Sequence, residues 1–303
     1  MNHIRYIQHE HIDMQKWDSC IKEADNSLIY GYSWWLDAMS PGWHAIVLND
    51  YEAVMPLTWR KKYGICYLYQ PFCTAALGVF YKKHISPCVE DFFKAIPRAY
   101  KYWDIDINEN NNIDNSLICF ERTNQMLDLR DGYDAVRKNY SYLARRKLNK
   151  ADKSNITIER DVQESVIIDL FKKEYNRQIK ASGYDYAAIA KCCAIARGKG
   201  WVKSYIAKSM DDTIIAFYIA LQDDRFGYLL LGGSTAQGKE RGAFYLLTDA
   251  AIHDQCNHKR IFRFEGSDHK GIAFFNRQFG AIPVSYTHIK YNRLPFPLNF
   301  LKK

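Results

Sequence analysis

The sequence predicts an α/β protein of mixed α+β character, made of two tandem domains, each a mostly antiparallel mixed sheet flanked by helices. Three observations carry that prediction. The chain has 303 residues, long for one compact core and ample for two. Its halves repeat one another: Trp43-His-Ala-Ile-Val-Leu-Asn-Asp50 and the two apolar runs after it match Trp201-Val-Lys-Ser-Tyr-Ile-Ala-Lys208 and its two successors. Between Phe226 and Ala281, an apolar strand, a basic glycine-bearing loop (Gln237-Gly-Lys-Glu-Arg-Gly-Ala243), an apolar helix and a second strand come in order.

In the first half, apolar residues at helical spacing predict helices over 12–24 and 32–39. Strands are predicted over 43–50, 53–59 and 62–69, punctuated by Asn49-Asp50 and Gly64. A helix over 87–100 and strands over 101–107 and 117–129 complete this half. In the second, helices are predicted over 162–180, opening at an Asp161 cap, and over 186–197. Strands over 201–208, 214–221 and 225–231 come next, then a loop-helix over 242–256, a strand over 260–265, a helix over 271–279 and a strand over 284–291. Matching positions keep a near-constant offset: Trp43 to Trp201 is 158, Asp50 to Asp212 is 162, and Gly64 to Gly227 is 163. The same three-strand meander is therefore expected twice, with the domains divided as 1–150 and 151–303.

Composition narrows the function classes. Hydrophobic residues make up 48% and aromatic residues 15%, enough to fill two cores, and no low-complexity tract interrupts them. No apolar run approaches the ~18 residues that span a bilayer, and the first ten residues lack the apolar centre of a signal peptide, so a cytoplasmic protein without a membrane span is expected. The eight cysteines form no C-x-x-C pair and sit mostly in apolar segments. They are expected to be reduced packing residues rather than a metal or disulfide framework. A net charge of +8, from 42 basic and 34 acidic residues, favours anionic partners such as CoA, a nucleotide-linked sugar or tRNA. The densest basic run, 137–150, covers more than one helical face. It contains Arg145 and Arg146, and its plain alternative is a solvated linking helix.

The loop at 237–243 is the chemically telling stretch. Unpaired N–H groups at a helix start, with the positive end of the helix dipole, form a cradle for phosphate or pyrophosphate, and Lys239 and Arg241 would reinforce it. Glu265 ends an apolar strand and is followed by Gly266-Ser-Asp268, a turn that would hold its carboxylate near Gln237. A carboxylate in a partly apolar cleft can serve as general base toward an amine. The alternative is that Glu265 pairs with Arg263 or caps the helix near Gly271. His269 is a secondary candidate.

The order helix, helix, antiparallel strands, helix, strand, helix, strand resembles the GNAT N-acyltransferase superfamily. Two copies in one chain look like the Fem-type peptidyltransferases and their acetyltransferase-like bacterial relatives. The resemblance spans nearly the full length in layout, with the specific residues mainly in the second copy. It implies two GNAT-like domains, the first degenerate for donor binding and ending in the basic linking helix, and the last strand able to return to domain one.

It further implies an acyl-donor loop of pattern Q/R-x-x-G-x-G/A, met by Gln237, Gly238, Lys239, Arg241, Gly242 and Ala243, with Glu240 in place of the middle glycine. Gly271-Ile-Ala-Phe-Phe-Asn-Arg-Gln-Phe-Gly-Ala281 resembles the closing helix of the superfamily, but Asn276 stands where a proton-donating tyrosine is common. Arg145 and Arg146 resemble the basic R-R-x-x-x-K segment that joins the two halves in Fem-type proteins, where guanidinium groups can hold a substrate carboxylate or phosphate. In the first copy, 70–78 has no basic residue. Trp34, Trp35, Trp59, Tyr69 and Phe72 either line an acceptor cleft there or fill a core.

The expected activity is N-acyl transfer from an activated donor, acyl-CoA or acetyl-CoA favoured, to an amine on a small-molecule, peptide or glycan precursor bound between the domains, with no metal. The alternatives are an aminoacyl-tRNA-dependent Fem-type transfer to a cell-wall precursor, and a catalytically silent binding protein of the same fold. A nucleic-acid regulator is disfavoured, since no helix-turn-helix or zinc-ligand spacing stands out.

Overall fold

The computed structural model describes residues 3–300 except 112, 114–117, 257 and 259. The chain divides into two compact units, Met1–Arg122 with Ser285–Lys303, and Thr123–Val284. The expected boundary at 150 therefore moves: the basic segment 137–150 belongs to the second unit, because its helix packs against that unit's own helices.

The first unit contains β1 (Ile4–Ile7), α1 (Met14–Glu23), α2 (Ser33–Met39), β2 (His44–Leu48), β3 (Ala53–Leu57), β4 (Trp59–Lys62), β5 (Ile65–Tyr69), β6 (Phe80–Tyr81), α3 (Val89–Lys94), β7 (Tyr100–Ile107) and the start of β8 (Ile118–Asp128). Asp13 opens α1 by accepting from the amides of Gln15 and Lys16, and the helix buries Trp17, Cys20 and Ile21. β2 and β3 pair as expected, His44 opposite Leu57.

The third strand of the expected meander does not join them. β3 pairs instead with β6, while β5 pairs antiparallel with β4 and parallel with β7. The chain leaves the first sheet at Thr58, which is tied to Tyr69 twice: Thr58 Oγ1 donates to the Tyr69 carbonyl, and the Tyr69 N–H donates to the Thr58 carbonyl. The helix expected over 87–100 shrinks to α3, since Pro97 disfavours helix at the residue before it and the strand opens at Tyr100.

β7 alternates by the two-residue strand period. Trp103, Ile105 and Ile107 enter the core with Phe92, Phe93 and Ile289. Tyr102, Asp104 and Asp106 therefore lie on the opposite face. Leu117, in a predicted strand, lies outside the described residues.

The second unit takes the rest of β8, then α4 (Tyr133–Lys138), α5 (Tyr142–Lys153), β9 (Thr157–Arg160), α6 (Glu164–Tyr175), α7 (Gly183–Gly198), β10 (Val202–Lys208), β11 (Ile214–Gln222), β12 (Phe226–Ser234), α8 (Ala236–Arg241), α9 (Ala243–Cys256), β13 (Ile261–Arg263), α10 (Lys270–Arg277) and the start of β14 (Ile282–Asn292). From Thr287 onward β14 pairs antiparallel with β7 of the first unit's residues, Ile289 opposite Ile105. Here the predicted meander is present: β10, β11 and β12 are consecutive antiparallel neighbours, and β9 adds outside β10.

α6 does not open at Asp161. Its cap position is Gln163, and Asp161 sits in the left-handed region at φ 58°, its amide bonded to the Ser204 carbonyl. α7 opens on a full capping box, Ser182 with Asp185. Its buried face includes Cys192 and Cys193, and Cys20 and Cys256 are buried too, but Cys88 and Cys119 are exposed, so those two are not packing residues. Among the described residues no helix is long and apolar enough to cross a membrane.

Candidate functional site

The site of interest forms where β12 parts from β13. The two run parallel only from Phe226–Ile261 to Tyr228–Arg263 among the described residues. On its other side, β12 slips register against β11: Ile219 faces Leu231 and Ala220 faces Leu229, which leaves Leu230 as the extra residue of a bulge. From Leu229 to Ser234, β12 is thus extended backbone that pairs with no strand on the β13 side among the described residues. The Ser234 N–H turns away from β11 and meets the Tyr175 hydroxyl at 3.3 Å. Strand alternation puts the Gly232 N–H on the same side.

Glycine is required here because rings press on both faces. A Cβ on Gly232 would lie 2.8 Å from the Phe244 ring, and one on Gly233 would overlap Tyr175. Tyr175, which sequence reasoning missed, closes α6 over this strand end. Its only signal in the sequence was its position at the end of a helix preceding the meander.

The predicted donor loop differs from the open cradle expected of it. Gln237, Gly238, Lys239 and Arg241 lie in α8, a six-residue helix, with Gly242 as its left-handed C-cap at φ 80° and Ala243 opening α9. Thr235 caps α8, its Oγ1 accepting from the Gly238 amide at 3.2 Å, while the Lys239 amide bonds the Thr235 carbonyl and the Gly242 amide bonds the Gly238 carbonyl. Those three amides are spent inside the chain. Gly238 packs against the Ile215 carbonyl, and a Cβ on Gly242 would lie 2.6 Å from the Lys147 carbonyl of α5. Replacing Thr235 by alanine is expected to lower stability by about 1 kcal/mol, the usual worth of an N-cap, read as a shifted urea midpoint.

α5 packs on α8 and α9 through Ala144, Leu148 and Ala151. Arg145 and Arg146 stand exposed on its outer side, and Lys239 is exposed on α8. Glu240 lies 4.0 Å from Lys150, both exposed, a contact of little energetic weight. α9 is anchored from α4 and the turn after it: Tyr133 and Tyr140 both donate to Asp249, and burial together with that carboxylate's charge pushes both phenols above their ordinary pKa.

Glu265 follows β13 at φ 50°, and its side chain is largely buried. The structure realises its paired alternative. Arg263 Nε donates to Glu265 Oε1 at 3.1 Å and Asn124 Nδ2 donates to Oε2 at 2.7 Å. The Arg263 side chain is only 2% exposed. His269 caps α10, accepting from the Gly271 amide, in place of Glu265. Asn276 is fully buried and its Nδ2 donates to Ser267 Oγ at 3.2 Å, so its carboxamide is turned inward. Of the first copy's aromatics, Trp35 is core, while Tyr69 lines a cleft of the first unit. No group of three or more His, Cys, Asp or Glu suited to a metal occurs among the described residues.

Comparison with known families matches residues 135–268 to the acetyltransferase (GNAT) domain. Residues 135–268 are thus similar in sequence to a GNAT domain. The match covers α5, the bulged β12, α8, α9 and Glu265, and stops just before α10. Among solved structures, FemX superposes with a TM-score of 0.66 at 13% identity, covering 98% of this chain and 99% of that one. L-PGS from Bacillus licheniformis gives 0.56 at 12%, covering 95% of each. A tandem GNAT protein from the clavulanic acid biosynthesis pathway gives 0.54 at 10%, covering 97% and 98%. At these identities the likeness establishes the fold, which is the tandem GNAT fold. No curated protein matches the chain in sequence.

Proposed function

We propose that the protein is an N-acyltransferase whose GNAT domain holds an activated acyl donor against β12 and passes the acyl group to an amine. The observation that carries this reading is the bulge at Leu230 where β13 departs, which leaves an edge of extended backbone. A thioester or ester carbonyl laid along that edge meets the Gly232 N–H as a preset donor, which binds more strongly as the carbonyl oxygen becomes an oxyanion. The amine attacks the carbonyl carbon, the C–N bond forms, and the C–S or C–O bond to the leaving group breaks. Phe244 and Tyr175 wall the acyl group. Glu265 is the proposed acceptor of the amine proton, directly or through water.

The donor in this reading is an acyl-CoA. A second reading, aminoacyl-tRNA, is favoured by one specific observation: α8 closes the loop that would cradle a pyrophosphate, while Arg145, Arg146 and Lys239 remain exposed as side-chain phosphate ligands. Calorimetric titration with acetyl-CoA and longer acyl-CoAs, beside filter retention of aminoacyl-tRNA, tests both. Under the first, heat is released with an acyl-CoA and is lost in the Lys239→Glu/Arg241→Glu variant. Under the second, retention falls steeply with salt, and Arg145→Glu/Arg146→Glu weakens it by about tenfold or more with a shallower salt slope. If neither donor binds, the acyltransferase reading falls and the silent binding protein replaces it.

A further inference from the structure

On the face of β7 opposite the core, the first unit carries a second constellation that owes nothing to acyl transfer. Strand register sets Tyr67 of β5 beside Tyr102 of β7, and Tyr69 beside Asp104. These four side chains line a cleft of about 580 Å³, closed along one side by Leu294 and Leu298 and bounded at its far end by Lys62. Asp104 is 43% exposed into it. Tyr102 donates its hydroxyl to Asp104 Oδ2 at 3.0 Å, and burial first, then the Asp104 charge, push that phenol up to about 12, so it stays a donor at neutral pH.

Behind Asp104 stands a built support. His288 of β14 is 4% exposed, its Nδ1 lies 2.9 Å from Asp106 Oδ1, and Arg122 Nη1 donates to both oxygens of Asp106 at 2.9 Å. The other ring nitrogen, Nε2, points to Asp104 Oδ1 at 3.4 Å and has no hydrogen-bond partner. A buried imidazole nitrogen without a partner is costly unless the group it faces can move to meet it. Asp104 is therefore a carboxylate bonded by Tyr102 and backed by the His288 ring at 3.4 Å, facing an aromatic-walled space.

That combination selects its ligand. Tyrosine faces with a carboxylate at the end attract an alkylammonium group, through the ring quadrupoles and one charge-assisted hydrogen bond. The rings of this hairpin already serve cations: the Arg60 guanidinium sits 4.2 Å from the Tyr69 centroid and Lys62 Nζ lies 5.4 Å from that of Tyr63. Lys62 pairs with Ile65, four residues along β5 from Tyr69, which is roughly 13 Å at ~3.3 Å per residue. Lys62 thus leaves the hairpin at the end of β5 away from Tyr69 and its cross-strand neighbour Asp104. We propose that this cleft is a binding site for a primary alkylammonium group, anchored on Asp104 and seated among Tyr67, Tyr69 and Tyr102.

The test is saturation-transfer NMR and calorimetry on the full chain with 1,5-diaminopentane and L-lysine as probes, and with 1-pentanol and N-acetylglucosamine as neutral controls. Saturable binding of the amines, weaker by about tenfold or more in Asp104→Asn, supports the site. Asp104 is exposed enough that this variant should melt within a few degrees of wild type. Should it unfold, Tyr67→Leu must show the loss instead. Equal binding of 1-pentanol, tighter binding of the sugar, unchanged affinity in both variants, or no binding of either amine each overturns the proposal. Because the probes lack an acyl donor, failure here leaves the acyl-transfer reading untouched, and the reverse holds too.

Discussion

Replacing Glu265 by alanine is expected to destabilise the protein by about 3–5 kcal/mol, the usual cost of removing one partner from a buried ion pair. The Arg263 side chain is 2% exposed and that of Glu265 11%, so the substitution would strip a buried guanidinium of this carboxylate. Asn124 Nδ2 would lose its acceptor as well. The double variant Arg263→Met/Glu265→Leu removes both charges together and is expected to cost far less than Glu265→Ala, since a buried pair replaced by apolar groups of similar volume is often close to neutral.

Urea unfolding of the three proteins reads this directly. A Glu265→Ala midpoint within error of wild type would refute the pairing argument. Glu265→Gln separates structure from chemistry. It keeps the side-chain volume but loses the charge, so turnover that falls further than the unfolded fraction explains assigns Glu265 to proton acceptance. A parallel fall in both assigns it to the turn after β13.

The sequence carries the second unit better than the first for a physical reason. Residues 201–231 alternate or run apolar between clear turn signals, and a meander satisfies them locally, each strand bonding its neighbour in the chain. In the first unit the same pattern was equally strong, yet β3 and β5 end in different sheets. What divides them is the bend at Thr58, a tertiary event with no periodicity of its own. The boundary at 150 was misplaced because α5 packs on helices that come later in the chain, while the return of the last strand was expected from the family resemblance alone: β14 pairs with β7, residues nearly two hundred positions away, which local spacing does not encode. At the site, the Gln237–Ala243 motif was legible as a chemical pattern. Its glycines looked like room for a ligand, and only the packed backbone reveals that they make room for Ile215 and Lys147. Tyr175 and the bulge at Leu230 left no pattern, since both arise from how α6 and β11 meet β12.

Gly238 and Gly242 therefore carry the sharpest prediction about how the GNAT domain works. If the loop were an open anion cradle, adding a methyl at either position would lower donor affinity and leave the fold nearly untouched. The packing predicts the reverse. In Gly238→Ala the new Cβ would overlap the Ile215 carbonyl oxygen, a backbone atom of β11 that no side-chain rotation relieves, so a loss of about 1–3 kcal/mol or more is expected. Gly242→Ala adds a left-handed residue, worth about 1 kcal/mol, to a 2.6 Å approach to the Lys147 carbonyl, and it should push α5 off the start of α9. Larger residues at 242 would report on folding rather than on donor binding. The charge reversals Lys239→Glu and Arg241→Glu lie on the same turn without glycine's constraint, so they isolate affinity. Gly238→Ala that unfolds like wild type yet binds donor weakly would restore the open cradle. Destabilised unfolding with native-like donor affinity in the folded fraction would establish α8 as a structural plug that orients β12 and α9, and would assign phosphate recognition to the exposed cations of α5 and α8.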